Sequence, residues 1–129
     1  MTNDEIKQLI RDTVTATVEQ LKAAGLLRDD SASAYKKTEA LLRQYPALRN
    51  VDTPYARRVV QEVEACMEEA ANDPYVDVIR LFYFAGMTNT ACADIICCDE
   101  RSVRRYRKKL VQQFSVRLAS DEFIRELLQ

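Results

Sequence analysis

Six cations fall within nine residues of this chain: Arg101, Arg104, Arg105, Arg107, Lys108 and Lys109. A guanidinium presents a rigid fork of donors that matches O6 and N7 of guanine, and either cation type can neutralise phosphate oxygens. Directly before the cations stands Cys97-Cys98-Asp99, which reads as a short turn ending on a helix-cap residue. Before the turn lies a neutral to acidic, small-residue segment, TNTACADII. A short helix, a tight turn and a second helix with arginines in its first turns form the arrangement with which proteins enter the DNA major groove.

The spacing fixes a register for this unit. Thr88 is positioned to cap a helix over residues 89–96, with Cys92, Ala93 and either Ile95 or Ile96 facing inward. The small side chain at Ala93 permits two helices to cross closely. Asp99 then caps the second helix, and Glu100 in its first turn suits the helix dipole. Val103 falls inward against Cys92 and Cys98, and Leu110, Phe114 and Leu118 continue its line. The face left outside begins with Glu100, Arg101, Arg104 and Arg105, which are the candidates for base contact; Glu100 could accept from a cytosine amino group. Thr88, Arg107, Lys108 and Lys109 are the candidates for phosphate contact. Tyr106 reads as a packing residue, since aromatics at helical spacing usually are.

The rest of the chain must carry this unit, and it reads as helical throughout. Residues 4–24 show apolar side chains at 6, 9, 10, 14, 18 and 21, with Gly25 as the expected terminator. Asp29, Asp30 and Ser31 offer caps for a helix over 31–45, which Pro46 is expected to stop or bend. Thr53-Pro54 opens a third helix, over 54–71. Asp73-Pro74 repeats that signal before the most apolar stretch, YVDVIRLFYFAG, which Gly86 closes. With two glycines and three prolines in 129 residues, there is little turn vocabulary for a many-stranded sheet. The expected fold is all-α: N-terminal helices over 1–73, for packing, dimerisation or partner contact, followed by a helix-turn-helix unit over 74–129.

Composition narrows the function classes. The net charge of −1 hides an asymmetry: residues 1–74 hold 10 basic and 13 acidic side chains, residues 75–129 hold 9 and 7. The basic patch acts locally, because charges beyond about 8 Å are screened at physiological salt. No basic-then-apolar leader opens the sequence and no run of about 18 apolar residues occurs, so a cytoplasmic protein without a membrane span is expected. Histidine is absent, no glycine-rich phosphate loop occurs, and Cys66, Cys92, Cys97 and Cys98 lack paired metal-ligand spacing. The cysteines read as small buried hydrophobes. The acid pairs Asp29-Asp30 and Glu68-Glu69 read as solvated carboxylates. Neither a catalytic residue, a metal nor a cofactor is expected.

From Tyr75 to about Leu118 the sequence resembles the promoter-reading C-terminal domain of bacterial sigma factors. The resemblance is carried by VIRLFYFAGMT, NTACADII, the turn CCD and ERSVRRYRKKL. Gly86-Met87-Thr88, Cys92-Ala93, Ile96 and Ser102-Val103 fill the family's slots, while Cys92 replaces a usual isoleucine and Cys97 a common glycine. The stretch AYKKTEALLRQYPALRN resembles small phage and prophage regulators of the ArpU and RinA type. These resemblances imply a sigma-like helix-turn-helix in a regulator of phage late genes or of cell-wall or lysis genes in a bacterial host. Double-stranded DNA is the expected partner, either through a homodimer or together with RNA polymerase. Two alternatives keep parts of this reading: a phage DNA-packaging subunit of the small-terminase kind, and a polymerase-docking adaptor that binds no DNA.

Overall fold

A computed structural model describes residues 1–129, with the side chains of all but Ala16 and Glu19. The fold is all-α. Helix α1 (Asn3–Arg28) is followed by α2 (Ala34–Leu48), α3 (Pro54–Glu69) and α4 (Asp77–Ile79), which runs on as a π-helical segment (Arg80–Phe84). Then come α5 (Asn89–Ile96), α6 (Glu100–Leu118) and α7 (Asp121–Leu127). Among the described residues no strand forms, and no helix is long and apolar enough to cross a membrane.

Several boundaries follow the cap chemistry. Thr53 Oγ accepts from the Ala56 N–H at 3.1 Å, with Pro54 as the first helical residue of α3. Gly86, at φ +69°, closes the π-helical segment, and the Met87 N–H donates to the Leu81 carbonyl at 2.9 Å. Positive φ is the reason for glycine there, since an added Cβ would meet nothing within 4 Å.

Four boundaries differ from expectation, each for a local or tertiary reason. Helix α1 continues through Gly25 to Arg28, because Ala23 and Leu27 are buried on either side and hold this turn against the body. Helix α2 begins after Ser33, whose Oγ accepts from the Lys36 N–H at 3.1 Å. Asp29 instead takes the Ser31 N–H at 3.0 Å and its O–H at 2.6 Å, closing a turn between helices. Pro46 lies inside the last turn of α2, where burial of Tyr45 and Leu48 outweighs the one lost amide bond. Asp73 spends its carboxylate on the Tyr75 N–H at 2.8 Å, so turns occupy the residues after it and α4 starts only at Asp77.

Two apolar clusters hold the helices. The larger joins Leu27 of α1, Leu41 and Leu42 of α2, Val59 and Val63 of α3, and Tyr83 of the π-helical segment to the second half of α6 and to α7. The smaller consists of Val78, Cys92, Ala93 and Val103. Phe82 packs against both. Helix α6 spans both as well, with Val103 in the smaller and Leu110, Val111, Phe114 and Leu118 in the larger. The chain is therefore continuous in its packing across residues 73 and 74. Tyrosine hydroxyls bridge between elements: Tyr83 donates to Glu39 at 2.6 Å and Tyr45 donates to Glu64 at 2.9 Å. Burial, with Glu39 as its acceptor, pushes the Tyr83 hydroxyl well above the ordinary tyrosine range.

Candidate nucleic-acid interface

The basic helix is held by the smaller cluster and by its caps. Thr88 Oγ accepts from the Ala91 N–H at 3.1 Å and starts α5. Cys92 and Ala93 are buried against Val103, and Ile96 is half-buried, while Ile95 turns outward at 54 % exposure. That settles the inward residue of the pair as Ile96. Helix α5 ends at Cys97, whose backbone is left-handed at φ 60°, ψ 47°. The N–H groups of Cys97 and Cys98 both donate to the Ala93 carbonyl, the second at 3.1 Å, so the helix closes on a left-handed residue without glycine, combining the 5→1 bond of an αL cap with the 6→1 bond of a Schellman turn. Asp99 then accepts from the Ser102 N–H at 2.6 Å and caps α6. The bonds from Ser102 hold the Asp99 carboxyl below the ordinary aspartate range. Three residues, 97–99, thus separate the two helices, as their types indicate.

The cations sort into two groups on α6. Arg101, Arg104, Arg105, Lys108 and Lys109 are exposed on one side. Among the described residues, no ion pair is made by Arg101, Lys108 or Lys109. Arg104 meets Glu100 at 3.3 Å, an exposed i,i+4 pair of little strength. Arg105 lies over the Tyr106 ring at 5.1 Å from its centroid. Arg107 goes the other way. Its guanidinium sits 3.9 Å from the centroid of Phe82, Nη1 donates to Asn89 at 2.5 Å, and Nε is buried without a hydrogen-bond partner. Arg107 therefore braces α6 against α5 and the π-helical segment. The reason is periodicity, since position 107 lies on the inward line between Val103 and Leu110.

Glu100 is also occupied within the unit. It accepts from the Thr90 hydroxyl on α5 and pairs with Arg104 on α6, so its carboxylate ties the two helices together. Thr88 is exposed, and its cap bond uses an oxygen lone pair and leaves the O–H hydrogen to donate elsewhere. Tyr106 packs as expected, half-buried and stacked on Tyr75 with centroids 3.4 Å apart and planes 8° apart.

Four supporting residues escape a reading of the sequence: Tyr75, Phe82, Asn89 and Thr90. Asn89 and Thr90 carry a signal as polar residues directly after the cap of α5, and Phe82 carries one as an inward residue of the most apolar stretch. The cysteines divide. Cys66 and Cys92 are buried, and desolvation pushes the Cys66 thiol up to about 12. Cys97 is exposed, contrary to its reading as a buried hydrophobe, because the left-handed turn directs its side chain to solvent.

The arrangement offers five outward cations over about two and a half turns, set on a rigid two-helix base. Such a surface can contact phosphates along one groove and present guanidinium forks to base edges near the start of α6. Comparison with protein-family models, with curated proteins and with solved structures gives no match.

Proposed function

We propose that the chain is a sequence-specific double-stranded-DNA-binding transcriptional regulator. The observation that carries this reading is the α5–turn–α6 unit, with its left-handed residue at Cys97, its cap at Asp99, and a single exposed face bearing Arg101, Arg104, Arg105, Lys108 and Lys109. Arg101, Arg104 and Arg105 are the base-reading candidates by their place in the first turns of α6. Lys108 and Lys109, further along, suit phosphates, and the Thr88 hydroxyl suits a phosphate at the start of α5. Glu100 positions Arg104, and Arg107 positions the helix. Regulation of phage late genes, or of cell-wall or lysis genes, rests on the resemblance to sigma-factor promoter-reading domains and to ArpU- and RinA-type regulators. So does cooperation with RNA polymerase. One recognition helix buries little surface, so specific affinity calls for two half-sites or a partner already on the promoter.

Fluorescence anisotropy with duplex DNA across a salt series tests the reading. On duplex of arbitrary sequence, where all five outward cations lie against the backbone, neutralising four to five phosphates gives a slope of log K against log salt near −4. Arg104→Ala/Arg105→Ala is expected to bind at least tenfold more weakly and to flatten the slope to about −2 to −3. Wild-type protein that binds no duplex at low salt would make the basic face a protein-docking surface instead.

A further inference from the structure

The first twenty residues of α1 stand away from the body. Of the described side chains from Asn3 to Lys22, only Asp12 and Gln20 are even half-buried; burial begins at Ala23. Yet this segment carries a continuous apolar stripe. Ile6, Leu9, Ile10, Val14, Val18 and Leu21 are 41–71 % exposed. Thr13 and Thr17 lie in the same stripe, and their hydroxyls donate to the Leu9 and Thr13 carbonyls at 2.9 Å, which leaves their methyl groups outward.

Such a helix does not hold itself. Residues 13–18 read TVTATV, and five of these six are β-branched, the type whose χ1 freedom a helix restricts most. Isolated helices of this length are marginal in water even with favourable sequences. Something must cover the stripe.

We propose that a second copy of this chain covers it, through antiparallel pairing of α1 with its symmetry mate about a two-fold axis between residues 13 and 14. Three observations select this occupant and this direction. The stripe maps onto itself when residue i is set opposite residue 27 − i: Ile6 meets Leu21, Leu9 meets Val18, Ile10 meets Thr17, and Thr13 meets Val14. Smaller side chains then lie at the crossing point, where the axes come closest, and larger ones fill the diverging ends. The area is also adequate. At about 170–200 Å² for a fully exposed aliphatic residue, the six expose roughly 600 Å² per copy, so pairing can bury up to about 1,200 Å², which reaches the lower end of a stable interface. Charge decides the direction. Parallel pairing would gather Asp4 and Glu5 of both copies and align the two helix dipoles, whereas antiparallel pairing sets this acidic end level with Lys22 of the other copy and opposes the dipoles. The overlap spans residues 5–22 of each copy, which lie outside the packed body. The pairing makes no use of α6.

Sedimentation equilibrium on the full chain, with far-UV circular dichroism, tests this. Wild type is expected to be a dimer at micromolar concentration. Val14→Asp places two carboxylates at the two-fold axis and is expected to weaken dimerisation at least a hundredfold and to remove about a fifth of the helical signal, while the melting of the remaining helices persists. Gln8→Ala, on the face opposite the stripe, should stay dimeric. Oxidative cross-linking reads direction in a Cys97→Ser/Cys98→Ser background: Val14→Cys should join and Ile6→Cys should not. A monomeric wild type, a ring of many copies, a dimer that survives Val14→Asp, or cross-linking through Ile6→Cys each overturns the proposal. A monomer that still binds duplex DNA would defeat the pairing and leave the proposed function standing; a dimer that binds none would do the reverse.

Discussion

Cys97 carries the turn on a backbone conformation that side chains resist. A left-handed residue brings its Cβ against the following carbonyl, at a cost of roughly 1–2 kcal/mol. The chain accepts this at Cys97, the one non-glycine residue with positive φ among those described, because two N–H groups close on Ala93 there. Substitution should therefore depend on the shape of the side chain and not on its polarity. Cys97→Gly is expected to leave stability within about 1 kcal/mol, since relieved strain is offset by the greater freedom of the unfolded chain. Cys97→Val adds a branch at Cβ where crowding is worst and is expected to destabilise by a further 1 kcal/mol or about that. Urea unfolding of the two variants beside wild type distinguishes these outcomes. Equal losses for both would mean that the thiol, and not the backbone, matters at this position.

Elements were legible where caps and periodicity acted locally, and less so where burial decided. Thr53, Thr88 and Asp99 each stand directly before a helix whose first amides they satisfy, so α3, α5 and α6 begin where their residue types indicate. Gly25 and Pro46 looked like terminators because neither the burial of Leu27 nor that of Leu48 is visible in local sequence. The π-helical segment gave no signal, since nothing in RLFYF distinguishes bonds spanning five residues from bonds spanning four. In the basic helix, the line through Val103 and Leu110 was legible, and extending it to Arg107 would have separated the bracing cation from the five exposed ones. The stacking of Tyr75 on Tyr106 was not legible, because it depends on where α4 sits relative to α6. Gly25 also yields a prediction for α1. It lies within the docked turn without positive φ, and an added Cβ meets nothing within 4 Å. Gly25→Ala is expected to stabilise the chain by roughly 0.5–1 kcal/mol, which should appear as a raised urea midpoint with an unchanged slope.

At the scale of the whole molecule, α6 is the member common to both clusters. Leu110 lies near its centre, 1 % exposed, at the start of the segment that enters the larger cluster. Leu110→Ala is expected to cost about 2–5 kcal/mol. If the chain is one cooperative unit, helicity and tyrosine fluorescence should lose stability together, with coincident unfolding curves. Two separated transitions would show instead that the smaller cluster holds without the larger. The shared helix has a consequence for inheritance. The basic end cannot be passed between proteins as a detachable cassette, because cutting near residue 74 would strip α2 and α3 of the side chains that close their core. Lineages of this chain would have to change what the basic face recognises in place, by replacing the outward residues of α6 while the inward line from Val103 to Leu118 stays fixed.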